Sequence, residues 1–162
     1  MKRNSKGFTL IELLIVVAII GIIVAIAIPN LLNAIQRAKQ RRSMGDERSI
    51  ETAIEAYGVD FNRYPVAAGY SLPSGLGYGG NTIGAGLANY VSPTYIKVCP
   101  VADGWNSWFQ VSIDTLGQNY ILISYGKNGT SDAPNYGPTT DFNADICFSN
   151  GVFVQYPEGV QN

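Results

Sequence analysis

Residues Phe8 to Ile28 read FTLIELLIVVAIIGIIVAIAI, and only Thr9 and Glu12 in that run carry polar side chains. As an α-helix the run is about 31 Å long at 1.5 Å per residue, the thickness of a bilayer core. Lys2, Arg3 and Lys6 precede it and no acidic residue does. The positive-inside rule then keeps residues 1–7 in the cytoplasm and sends the remainder across the membrane. Ala25-Ile26-Ala27 fits a signal-peptidase site, but the run is longer than a secretory leader's apolar core and carries a carboxylate at its fifth position. A plain signal anchor remains an alternative. Pro29 lacks an amide donor and Gly21 has low helix propensity, so a kink or local opening is expected between them.

Outward from this run, 162 residues allow one domain of ordinary size plus an appendage. The absence of histidine excludes a Ser-His-Asp or Cys-His engine and every His-containing zinc site, so the chain reads as a non-enzyme. Cys99 and Cys147 form no CxxC pattern. Both lie in the exported part, where disulfides persist, and a bond between them would stabilise by roughly 4 kcal/mol on the chain-entropy model. Two buried thiols are the alternative. The net charge of −1 conceals a split: residues 1–57 hold eight basic and five acidic groups, and residues 58–162 hold three and seven.

After Pro29, Leu31, Leu32, Ile35, Ala38, Ile50, Ala53, Ile54, Tyr57 and Phe61 recur at steps of three and four, marking one face of an amphipathic helix. Arg37, Lys39, Arg41, Arg42, Asp46, Glu47, Arg48, Glu51 and Glu55 are assigned to its solvated side. The basic cluster Arg37–Arg42 lacks the interleaved aromatics of a single-strand binder, so nucleic acid is not expected as a partner. Asn62-Arg63-Tyr64-Pro65 closes the helix. Seven glycines between Gly69 and Gly86 predict a surface loop, and residues 87–93 a helical turn. Strands are predicted over Trp108–Ile113, Tyr120–Tyr125, Asp145–Phe148 and Val152–Tyr156, the last two joined through Asn150-Gly151, a strong hairpin signal. Four antiparallel strands packed on the helix give an α+β fold. It divides into residues 1–7, a transmembrane or filament-core helix over 8–28, an amphipathic helix over 29–61 and a β-sheet head over 62–162.

Lys6-Gly7-Phe8-Thr9-Leu10-Ile11-Glu12-Leu13-Leu14 resembles the class III signal of type IV prepilins and type II secretion pseudopilins. The resemblance implies a pilin fold, cleavage between Gly7 and Phe8 by a prepilin peptidase, and N-methylation of Phe8. It also implies a homopolymer built through the N-terminal helices, in contact with minor pseudopilins and an inner-membrane assembly platform. Glu12 would then pair with the N-terminal amine of a neighbouring subunit, fixing the axial register. Independently of that resemblance, a carboxylate inside a bilayer costs roughly 2.5–3.5 kcal/mol at the centre and less near the interface, so Glu12 calls for a role. A carboxylate simply reaching back to the headgroups is the plainer reading.

In the head, Asn62-Arg63-Tyr64-Pro65, Asp103-Gly104-Trp105, Tyr125-Gly126-Lys127-Asn128-Gly129 and Asn143-Ala144-Asp145-Ile146 are similar to landmarks of the major pseudopilin. Asn106-Ser107-Trp108 departs from the usual Gly-Asn-Pro, and the tail from Phe148 to Asn162 extends as an extra hairpin. A type IV pilus subunit, serving adhesion, motility or DNA uptake, is the alternative within this class. A monomeric membrane-anchored binding module is the alternative outside it. The resemblance implies a structural calcium ion in the loop before the final strand. Asn128, Asp141, Asn143 and Asp145 are its candidate ligands, Asn128 standing where the family usually has Asp. Calcium takes six to eight oxygens, which Asp-x-Asn-x-Asp at 141–145 supplies in alternation; an Asx-rich loop capped by its own backbone is the competing reading.

Overall fold

The computed structural model describes residues 7–65, 81–82, 86–114, 116–132 and 136–159. The chain forms two compact units, residues 1–35 and 36–162. A single helix, α1 (Leu10–Phe61), begins in the first and ends in the second. In the first unit every helical side chain is exposed, Leu10 at 88 % and Ile35 still at 43 %. This stretch is long and apolar enough to cross a membrane. The local opening expected at Gly21 and Pro29 is not present, because α1 continues through both. Pro29 forfeits only its own bond to the carbonyl four residues earlier, and intact turns on either side carry the helix past it.

In the second unit α1 buries Gln40, Ser43, Glu47, Ile50, Ala53 and Ile54, a stripe at helical spacing. Ile50, Ala53 and Ile54 are the expected apolar face. Leu31, Leu32, Ile35 and Phe61, expected to share it, are exposed. Glu47, assigned to the solvated side, is completely buried. The helix ends where Asn62 takes a left-handed conformation (φ 53°), a common stop signal, and Pro65 follows.

The second element is β1 (Asn81–Thr82), followed by α2 (Leu87–Val91), β2 (Gln110–Ile113), β3 (Tyr120–Ser124), β4 (Gly137–Thr139), β5 (Ile146–Ser149) and β6 (Val152–Pro157). The described strands form one mixed sheet in the order β1-β2-β3-β5-β6-β4. The four predicted strands are present as β2, β3, β5 and β6, antiparallel neighbours throughout. Asn150 and Gly151, both at positive φ, make the two-residue turn between β5 and β6. β1 and β4 extend the sheet beyond the four strands expected. They are two and three residues long, too short to show a period, and β4 pairs parallel to β6 with Pro138 on the sheet edge. Most of the Gly69–Gly86 loop lies outside the described residues.

Alternation along the strands sorts the core. Val111, Ile113, Tyr120, Leu122 and Phe148 join Ile50, Ala53 and Ile54 of α1, together with Leu87, Val91, Cys99 and Phe109, in one apolar cluster. Each valine, leucine, isoleucine or phenylalanine among them, fully buried, stabilises by roughly 1.5–3 kcal/mol. Ile123 and Cys147, paired across β3 and β5, point to the opposite face. The expected Cys99–Cys147 disulfide is therefore not formed: both residues are buried thiols, and the sheet lies between them. Asn106, where the resemblance expects glycine, holds a φ of 70°, a conformation asparagine tolerates better than most residues.

Candidate functional site

At the start of α1, Gly7, Phe8 and Thr9 are non-helical and exposed, so the peptide bond between Gly7 and Phe8 is accessible. Residues 1–6 of the expected leader lie outside the described residues. Thr9 caps the helix. Its amide and hydroxyl donate to Glu12 Oε2 at 2.8 and 2.7 Å, and the Glu12 amide donates back to Thr9 Oγ1 at 3.3 Å. This is a capping box, with threonine at the cap and glutamate three residues on. The sequence-predicted role of Glu12 is pairing with a neighbour's amine and leaves out this cap, although Thr-x-x-Glu ahead of an apolar run is a recognisable signal for it. The helix's own amide end thus satisfies one oxygen of Glu12, at the point where the resemblance expects a neighbour's amine.

In the head, the Asp103-Gly104-Trp105 turn docks on α1. The Gly104 amide donates to Ser43 Oγ at 2.9 Å, and Trp105 Nε1 donates to Gln36 Oε1 at 2.6 Å. Asp103 holds the turn, accepting from the Trp105 and Ser107 amides and from Ser124 Oγ at 2.7–2.9 Å. Lower on the helix, Glu55 accepts the hydroxyls of Tyr64 and Tyr120, each at 3.0 Å, joining α1 to the landmark tyrosine and to β3. The docking turn and the closing Tyr64 give structural meaning to two of the landmarks. Both position the sheet on the helix and neither offers a nucleophile with a base.

The calcium candidates divide. Gly126 has a φ of 61°, and a Cβ there would press on the carbonyls of Asn143 and Ala144 at 2.7 Å, so only glycine lets the two loop arms close. Across this closure the Asp132 amide donates to Asp145 Oδ2 at 3.1 Å, and Asn128 Nδ2 donates to Asp132 Oδ2 at 3.3 Å. Asp145 is buried, and its Oδ1 has no hydrogen-bond partner among the described residues. Burial, reinforced by the charge of Asp132 and opposed by its amide, pushes the Asp145 carboxyl up to about 7. Asp141 and Asn143 instead form an exposed turn in which Asp141 Oδ1 accepts the Asn143 amide at 2.9 Å. Asp132, which is not among the sequence-predicted ligands, takes their place beside Asp145 through its backbone amide. Among the described residues no three acidic, histidine or cysteine side chains come together as a metal cage.

Comparison with known proteins agrees with this architecture. Residues 2–28 match the prokaryotic N-terminal methylation motif, and residues 30–147 match the family described as type II secretion system (T2SS), protein G. A type II secretion system core protein G from Aeromonas hydrophila is 33% identical over 151 residues, covering 92% of this chain and 94% of that protein. The protein of the same name from Escherichia coli K12 is 29% identical over 147 residues, covering 91% of each chain. One from Vibrio cholerae is 31% identical over 136 residues, covering 83% and 82%. No solved structure matches the chain. The protein G match decides between the pseudopilin and type IV pilin readings, which the sequence had left open. With a long apolar N-terminal helix followed by a small mixed sheet, the chain belongs to the type II secretion system protein G family, the pseudopilins of α+β pilin-like fold.

Proposed function

We propose that the chain is the fibre-forming subunit of a type II secretion apparatus, cut between Gly7 and Phe8 by a prepilin peptidase and N-methylated on Phe8. Before assembly it is anchored in the inner membrane with residues 1–7 cytoplasmic and the head outside. The observation that carries this reading is the exposed apolar surface of α1, which runs from Leu13 to Ile28 and resumes at Leu31, Leu32 and Ile35. So large an apolar surface is not stable in water and needs lipid or the helices of other subunits around it. Removing residues 1–7 takes away three positive charges and shifts the side-chain balance to −4. It also creates an amine on Phe8.

In the filament, that amine meets Glu12 of a neighbouring copy. The two charges neutralise each other away from water and select one axial register between subunits. Within its own chain Glu12 Oε2 is occupied by Thr9, so the pairing adds to the capping box or displaces it. Stacked subunits then push the growing fibre outward, driven by a cytoplasmic motor that acts through an inner-membrane platform, with minor pseudopilins as further partners. The test is a Glu12→Ala variant expressed with its peptidase. It is expected to be cleaved and methylated normally while yielding few fibres in a shearing and sedimentation assay. Fibres at the wild-type level would contradict the pairing.

A calcium ion in the head loop is part of the same proposal. What supports a hard cation is the buried, orphaned Asp145 Oδ1, with the Asp132 amide on the other oxygen of that carboxylate, the Asp132 side chain bonded in turn to Asn128, and the carbonyls of Asn143 and Ala144 close to Gly126. Asp145, Asp132 and Asn128 would hold it. Its contribution is structural, pinning the two loop arms that frame β5.

A further inference from the structure

We propose that Arg37 and Arg41 form a binding site for the phosphate of an anionic phospholipid, in the membrane leaflet on the head side, before the subunit enters a fibre. The inference rests on the membrane anchoring proposed above. In the first unit the last exposed apolar side chains of α1 lie beyond Ile28, with Asn30 and Asn33 among them, and they set the furthest reach of the lipid-facing segment. Leu31, Leu32 and Ile35 are still exposed apolar residues, whereas burial against the head begins at Gln40. From Phe8 to Ile35 a helix is about 42 Å long, more than a hydrocarbon core needs. From Leu13 to Ile35 it is about 34 Å, which fits with modest tilt and leaves Glu12 at the opposite interface. Arg37 then comes two residues beyond the apolar edge, at headgroup level.

Four basic residues, Arg37, Lys39, Arg41 and Arg42, stand here before the first acidic one, Asp46. Arg42 is engaged by Asp46 at 3.5 Å. Lys39 is half-buried, with Gly104 pressed against its backbone. Arg37 and Arg41 are exposed, lie four residues apart on one side of the helix, and have no carboxylate within ion-pair distance among the described residues. Two guanidinium groups one helical turn apart suit the oxygens of a phosphodiester, which arginine binds through paired hydrogen bonds. Basic side chains at an anionic membrane surface act additively, so two of them predict roughly 30-fold enrichment of anionic over zwitterionic lipid.

The experiment uses the full chain in nanodiscs containing equal amounts of phosphatidylglycerol and phosphatidylcholine, followed by native mass spectrometry of the released protein with its retained lipids. Wild-type protein is expected to retain phosphatidylglycerol in large excess, and the double variant R37Q/R41Q to retain the two lipids about equally. The preference should survive excess inorganic phosphate and return only in part in R37K/R41K, where lysine keeps the charge but not the paired hydrogen bonds. Equal retention by wild-type protein would overturn the proposal, and loss of fibres in R37Q/R41Q alongside it would assign the arginines to carboxylates of neighbouring subunits. Displacement by inorganic phosphate would overturn it in favour of a free-anion site. Failure of wild-type protein to insert into the nanodisc would instead overturn the anchoring itself, and that is read separately from the lipid ratio.

Discussion

The backbone amide of Gly104 lies 2.9 Å from Ser43 Oγ, and a Cβ on Gly104 would overlap the carbonyl group of Lys39 one turn earlier. Backbone rests directly on backbone here, so the loop cannot yield by moving a flexible side chain. Gly104→Ala should destabilise the head by about 1–3 kcal/mol or more, and Ser43→Ala, which removes the hydroxyl that accepts from Gly104 and donates to the Lys39 carbonyl, by about 1–2 kcal/mol. Thermal unfolding of the full chain in detergent checks both. Equal melting temperatures for Gly104→Ala and wild type would show that the turn does not dock as described.

Glu47 contributes to the pH dependence of the head, alongside Asp145. It is completely buried on α1, and neither carboxylate oxygen has a hydrogen-bond partner among the described residues. Burial raises its carboxyl well above the ordinary value near 4.5. The nearby Ser124 amide opposes this, and the charges of Asp103 and Asp46 add to it. A raised folded-state value means that the folded chain holds the proton more tightly than the unfolded chain. Its contribution to stability is therefore fully present below pH 4.5 and is lost as pH rises through the folded-state value. Glu47→Gln should leave the melting temperature nearly unchanged at pH 4 and raise stability by about 1–3 kcal/mol at pH 8. A variant with the wild-type pH profile would contradict this account of Glu47.

Calcium should raise the melting temperature of the full chain. A site half-saturated near 10 μM and supplied at 1 mM would add about 2.7 kcal/mol. Asp145→Asn should abolish the shift, whereas Asp141→Ala should leave it largely intact because Asp141 belongs to the exposed turn. Differential scanning fluorimetry with calcium and with chelator distinguishes these outcomes. No shift in the wild-type protein would remove calcium from the account.

The features legible in the sequence were those with a long or sharp local signal. The apolar run ending at Ile28 announced the helix, Asn150-Gly151 the hairpin, and Ile50, Ala53 and Ile54 the packed face. The features missed depend on what a neighbour does. Glu47 looked solvated because charge usually marks the outer face, but the docking turn and Ser124 cover it. Cys99 and Cys147 were placed together by compartment and count, while strand alternation puts the sheet between them. β1 and β4 take their structure from the strands they pair with. At the candidate metal loop, alternating oxygens at 141–145 drew attention to Asp141 and Asn143, although chain closure at Gly126 places Asp132 beside Asp145. Thr9 and Glu12 form the one missed feature that a local pattern could have revealed.

The most direct test of the account is the intact mass and N-terminal sequence of the protein taken from its native membrane, with the prepilin peptidase present and with it deleted. The account predicts a mature chain that begins at N-methylated Phe8, and an uncut chain beginning at Met1 when the peptidase is absent. A Met1 terminus in both strains, or cleavage after Ala27, would contradict it, because no Phe8 amine would then exist for Glu12 to meet.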